Sequence, residues 1–207
     1  MATTSEVDSQ LGGKIVPLAT LWRSMLLGVT KTVLVVVLVA IGGFLAGAQI
    51  IPHHIVVERN QVITASPDKV FAVAAHLRRF GEWSPWSDLD PRTVLTFEGP
   101  DSGPGQIVHW VSAVPDVGQG SLSILELKSD EWIAGKVSLS DGEVASMSMT
   151  FVPVANGTSV TWRYEKDVSG VLGPWRGIGY DRWVGAPFVR GLGLLKTIVE
   201  KDGPLAG

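Results

Sequence analysis

The sequence predicts an α+β fold, an antiparallel sheet wrapped around a long C-terminal helix, joined to one N-terminal transmembrane helix. Three observations predict it. A run of membrane-crossing length lacks any charge near the N-terminus, short alternating runs fill the middle, and one apolar helical stripe closes the chain.

Composition bounds the reading first. At 207 residues there is room for one well-cored domain plus extras. The apolar fraction is 45%, the charged fraction 18% and the mean hydropathy +0.27, a high value that comes largely from one stretch. A net charge of −3, with no basic stripe carrying interleaved aromatics, argues against nucleic acid as a partner. Without cysteine there are no disulfides, thiolate nucleophiles or cysteine-based zinc sites. Eight tryptophans point to a thick core, an aromatic-lined cavity, or both.

Residues 1–31 read as an N-terminal tail, polar over its first part. From Thr32 to Ile51 no residue is charged and only Gln49 is strongly polar. Such a run, at about 1.5 Å per residue, matches a hydrocarbon core of about 30 Å. A cleaved signal peptide is the alternative, because Ala46-Gly47-Ala48 resembles a small-residue cleavage site. The length of the run and its late start favour an uncleaved anchor in a bacterial plasma membrane. Lys14, Arg23 and Lys31 precede the run and only Arg59 follows closely, which places the N-terminus in the cytoplasm and the domain outside.

The domain itself spans residues 55–201, with 202–207 as a short tail. Ile55–Ile63 reads as a strand. Ser66-Pro67 then pairs an N-cap with proline at the first helical position, opening a helix through Leu77. A segment dense in turn formers and aromatics, Gly81 to Pro91, is expected as a loop. Six extended runs follow, at 93–98, 106–113, 120–127, 131–139, 144–152 and 158–165. Met147, Met149 and Phe151 alternate with Ser148 and Thr150, and Val160, Trp162 and Tyr164 with Thr161 and Arg163. One apolar and one wet face mark a half-buried antiparallel sheet. Asn156-Gly157 is a hairpin signal between the last two strands. From Tyr180 to Lys201, Val184, Phe188, Leu192, Leu195 and Val199 form one helical stripe, which Pro187 should kink or start.

The residues also carry a family resemblance. Val70-Phe71 through Trp83-Ser84-Pro85-Trp86 and Asp90-Pro91 resembles the opening of the polyketide cyclase/dehydrase branch of the START-like (SRPBCC) superfamily. Gly99-Pro100, Trp110, Val117-Gly118-Gln119-Gly120, Phe151-Val152-Pro153, Gly157 to Trp162 and Phe188 to Leu192 continue it in order, over roughly residues 55–201. The resemblance implies a helix-grip fold with an apolar cavity between the sheet and the last helix. It implies no particular reaction, since the superfamily hosts binding, transport and catalysis alike.

The expected cavity lining is Met147, Met149, Phe151, Val160 and Trp162 on the sheet and Phe188, Leu192 and Leu195 on the helix. Trp110 joins it, and Trp83 and Trp86 either gate the mouth or pack beneath their loop. Glu126 shares the parity of Leu122 and Ile124, and His109 that of Ile107 and Val111, so each is a candidate acid or base or a plain structural residue. Tyr164 is the better inward candidate on its strand. His53, His54 and His76 lack metal-ligand spacing, and no metal or cofactor is expected.

The leading expectation is a membrane-anchored module that binds an apolar small molecule or lipid. The first alternative is a cyclase or dehydratase acting through Glu126, His109 or Tyr164, although no recognisable catalytic constellation is present. The second is an interaction domain whose core is closed, with no pocket of roughly 300 Å³ or more.

Overall fold

The computed structural model describes residues 18–140, 142–177 and 179–201, with the side chains of 18–27 and Arg176 left aside. The expected tails at 1–17 and 202–207, including Lys14, lie outside the described residues. The chain divides into two units, residues 1–50 and 51–207.

In the first unit, helix α1 runs from Leu18 to Ile50. It begins well before the apolar run, since Leu18 to Lys31 contains no proline or helix-breaking cluster to stop it. Its part from Gly28 to Ile50 is long and apolar enough to cross a membrane, a property that a signal sequence shares.

The second unit is built on seven antiparallel strands in the order β1-β7-β6-β5-β4-β3-β2. They are β1 (His54–Ile63), β2 (Val94–Glu98), β3 (Ile107–Val111), β4 (Gln119–Lys128), β5 (Trp132–Leu139), β6 (Val144–Val154) and β7 (Gly157–Asp167). All lie within a few residues of the runs read from the sequence. Alternation holds where it was clearest: Val160, Trp162 and Tyr164 are buried at 0%, 0% and 6% exposure while Thr161 and Arg163 between them are not. The β6–β7 hairpin turns at Ala155-Asn156, one residue earlier than the Asn156-Gly157 signal, pairing Val154 with Gly157. Only glycine fits there: its φ is 132°, and a Cβ would lie 2.0 Å from the carbonyl oxygen of Ile63.

Helix α2 (Pro67–Ala74) starts at Ser66-Pro67 as expected. The following segment is not the loop that its composition suggested. A 3₁₀ turn (Leu77–Arg79) leads into α3 (Phe80–Trp83) and α4 (Pro85–Leu89). Ser84 caps α4 through its hydroxyl and Pro85 occupies the first helical position, repeating the signal that opens α2. Buried Gln106 ties this segment to the sheet. Its amide accepts from the Leu77 N–H at 3.0 Å and donates to the carbonyls of Ala75 and Gly103, both at 2.9 Å.

After β7 a short helix α5 (Gly173–Gly177), not expected from the sequence, precedes α6 (Tyr180–Lys201). Helix α6 continues through Pro187 and packs on β1 and β7 and on the short helices. Val184, Phe188, Leu192, Leu195 and Val199 are all buried, so the apolar stripe is the face laid on the sheet.

Candidate functional site

A cavity of about 230 Å³ lies between the sheet and the first turns of α6. Strands contribute Trp110, Leu122, Val137 and Leu139, together with the paired Met147 of β6 and Tyr164 of β7. Phe80 and Trp86 from α3 and α4 close one side, and Trp183, Val184 and Phe188 from α6 another. The β3–β4 loop from Pro115 to Gln119 and the β5–β6 turn with Ser140 and Glu143 form the rest. Trp110 holds that first loop, its indole N–H donating to the Val117 carbonyl at 3.3 Å.

The other half of the space under the helix is filled. The Trp162 ring stacks on Phe188 with centroids 4.0 Å apart and planes at 9°. Trp83 meets Trp162 edge-on at 5.3 Å, and Phe71 meets Phe151 edge-on at 5.5 Å. Of the expected lining, Trp86, Trp110, Met147 and Phe188 border the cavity. Trp83, Met149, Phe151, Val160, Trp162, Leu192 and Leu195 face inward but are packed in the core instead. Their volume closes the space that parity alone left open.

The three acid–base candidates do not converge. A bulge between Ile124 and Glu126 shifts the register against β5, and past it the alternation lapses, leaving both Leu125 and Glu126 exposed. His109 stands on the face opposite Val108 and Trp110, 3.4 Å from the Glu98 carboxylate. Only Tyr164 borders the cavity, 6.2 Å from the ring of Tyr180 in a stacked pair.

The main polar feature is a cluster at the cavity edge that the sequence reading did not single out. Lys166 continues the inward row of Val160, Trp162 and Tyr164, and its side chain is only 8% exposed. It pairs with Glu143 and donates to the Tyr180 hydroxyl at 2.9 Å, and that hydroxyl donates to Glu143 at 2.7 Å. Burial opposes the ammonium charge, but hydrogen bonds to Glu143 and Tyr180 outweigh it and raise the Lys166 pKa. Burial also raises the Tyr180 phenol above its ordinary value, so it stays neutral and bridges the two charges. Extending the alternation of β7 by one step would have found Lys166.

Glu143 also borders a second, more polar hollow of about 320 Å³, shared with Lys166, Tyr180, Val168 and Ser169. Elsewhere, Asp90 fixes the end of α4, accepting from the Ser112 hydroxyl at 2.6 Å and the Arg92 N–H at 3.0 Å. These bonds hold its carboxyl below the ordinary value of 3.8. Among the described residues no group of three metal-ligating side chains comes together.

Comparison with solved structures finds the same fold at low identity. A protein of unknown function from Staphylococcus aureus superposes with a TM-score of 0.57 at 14% identity, covering 72% of this chain and 95% of that one. The di-domain ARO/CYC StfQ from the steffimycin biosynthetic pathway gives 0.55 at 15%, covering 72% and 51%. Truncated norcoclaurine synthase from Thalictrum flavum gives 0.53 at 16%, covering 70% and 93%. A search of curated proteins returns no match. The profile of one family, described as polyketide cyclase / dehydrase and lipid transport, matches residues 54–200. With most of its length matched, and with the helix-grip architecture built by those same residues, this chain belongs to the polyketide cyclase/dehydrase family of the SRPBCC superfamily and carries that family's ligand-binding domain.

Proposed function

We propose that the domain binds one small apolar molecule in the cavity between the sheet and α6, and that the N-terminal helix anchors it in a membrane. The observation that carries this reading is a cavity of about 230 Å³ bordered by six aromatic rings, those of Phe80, Trp86, Trp110, Tyr164, Trp183 and Phe188. An apolar cavity of about 150 Å³ takes benzene, and drug-sized ligands occupy roughly 300 Å³ or more. The cavity is smaller than the roughly 300 Å³ below which a closed-core interaction domain is the expectation, so it suits at most a body of one or two rings. A two-chain lipid would have to displace the Trp162–Phe188 stack.

Native mass spectrometry of the full chain released from detergent, followed by solvent extraction, tests the reading. A co-purifying apolar compound of this size is expected. Val137→Phe, which fills the cavity from β5, should abolish its retention. A ligand retained equally by that variant would overturn the assignment of the site.

Acid–base catalysis is the second reading, favoured by the Glu143–Tyr180–Lys166 cluster rather than by Glu126 or His109. With its phenol pKa raised, Tyr180 would serve as a proton donor and not as a base.

A further inference from the structure

Two acids line the cavity, and one of them, Glu143, is already paired with Lys166 at its edge. Of the described residues that border it, Asp116 on the β3–β4 loop and Glu143 on the β5–β6 turn are ionisable acids, and none is Lys, Arg or His. Lys166 lies behind the wall, where Glu143 and Tyr180 hold its ammonium. Asp116 sits exposed at the rim, and no cation among the described residues pairs with it. The six aromatic rings add a second bias in the same direction. Their faces are the negative part of the ring quadrupole and attract a cation held within about 6 Å.

Resting on the apolar-ligand reading above, we infer that the ligand is an organic cation: a body of one or two rings carrying an ammonium group directed at the rim. The competing possibility is an apolar carboxylate drawn to Lys166. Two features oppose it. The donors of Lys166 already serve Glu143 and Tyr180, and an anion at the rim meets the like charge of Asp116. The cation gains from Asp116 and from the aromatic rings that border the cavity. A rim carboxylate close to an ammonium in a half-exposed setting, with cation–π attraction added, gives roughly five- to tenfold in affinity.

Three probes of nearly equal size isolate the charge: 1-naphthylmethylamine, 1-naphthalenemethanol and 1-naphthoate. Each is titrated calorimetrically at pH 7 into the full chain in detergent, with empty micelles subtracted, at low and at moderate salt. The amine should bind about five- to tenfold more tightly than the alcohol, with the carboxylate weakest, and added salt should narrow the gap. Asp116→Asn should weaken the amine roughly three- to fivefold and leave the alcohol within about twofold. A carboxylate that binds as well as the amine, or an Asp116→Asn effect equal for amine and alcohol, would overturn the cation assignment while leaving the cavity reading intact. Failure of all three probes to bind would overturn both.

Discussion

Two glycines on α6 stand two residues apart, and alanine at each should move stability in opposite directions. A Cβ on Gly191 would lie 2.7 Å from a ring carbon of Trp162 and 3.0 Å from Cδ of Pro85. The ring has no direction of retreat: Trp162 is 0% exposed and stacked 4.0 Å from Phe188. Overpacking of a filled core costs about 1–3 kcal/mol, and a site enclosed on both sides belongs in the upper half of that range. Alanine recovers about 1 kcal/mol of helix propensity, leaving Gly191→Ala destabilised by about 1–2 kcal/mol. Around Gly193 nothing lies within 4 Å of the added carbon, so the propensity gain of about 1 kcal/mol stands alone. Close approach to Trp162 and Pro85 thus accounts for Gly191 and not for Gly193. The two variants should differ by about 2–3 kcal/mol, or roughly 4–12 °C in Tm for a domain of this size. Urea titration of the full chain, followed by tryptophan fluorescence, reads the difference as a shift in midpoint at constant slope. A Gly191→Ala chain as stable as the parent would refute the seating of α6 on Trp162.

Three further outcomes are expected. Gln106→Leu removes three hydrogen bonds, two of them buried, that span the α2 end and the Gly103 turn, and should destabilise by about 2–4 kcal/mol in the same titration. Glu143→Gln and Lys166→Met should each destabilise, while the double variant costs less than their sum; a double-mutant cycle should return a coupling of about 1–3 kcal/mol, and simple additivity would contradict the ion pair. Asp90 has its folded pKa below 3.8, so its contribution is present above that value and is lost as pH falls through the folded value. The Tm gap between the parent and Asp90→Asn should therefore be constant from about pH 5 to 7 and shrink below about pH 4.

Most of the fold is legible because its signals are local. Period-two alternation set the faces of β6 and β7, and intervals of three and four set the buried face of α6. The segment between α2 and β2 was misread for a reason that is equally local. Ser84-Pro85 carries the same cap-and-proline signal as Ser66-Pro67, but Trp83, Trp86 and the flanking glycine and prolines gave it the composition of a loop. Parity left Glu126 open between an inward acid and a plain structural residue because a bulge leaves no mark in a single sequence. Counting parity from Leu122 through Ile124 is sound until a residue is inserted against the partner strand, and the count then fails for everything beyond it.

The cavity was harder to read, because parity assigns a side chain to a face and not to a depth. Depth is nevertheless partly encoded. The Ala155-Asn156 turn fixes the β6–β7 register, pairing Phe151 with Val160, Met149 with Trp162 and Met147 with Tyr164 at increasing distance from the hairpin. The first two pairs are packed, and the third borders the cavity. One step further along β7 stands Lys166, the buried ammonium. On α6 the order runs in step: Leu192 and Leu195 lie in the packed half, Phe188 closes the boundary by stacking on Trp162, and Val184 borders the open space. The large apolar side chains thus fill the hairpin end, and the rings that border the cavity collect where the rows turn polar. A ligand that uses this space is expected to be apolar along its body, and a charged group on it belongs beside Asp116, because Glu143, Tyr180 and Lys166 already satisfy one another.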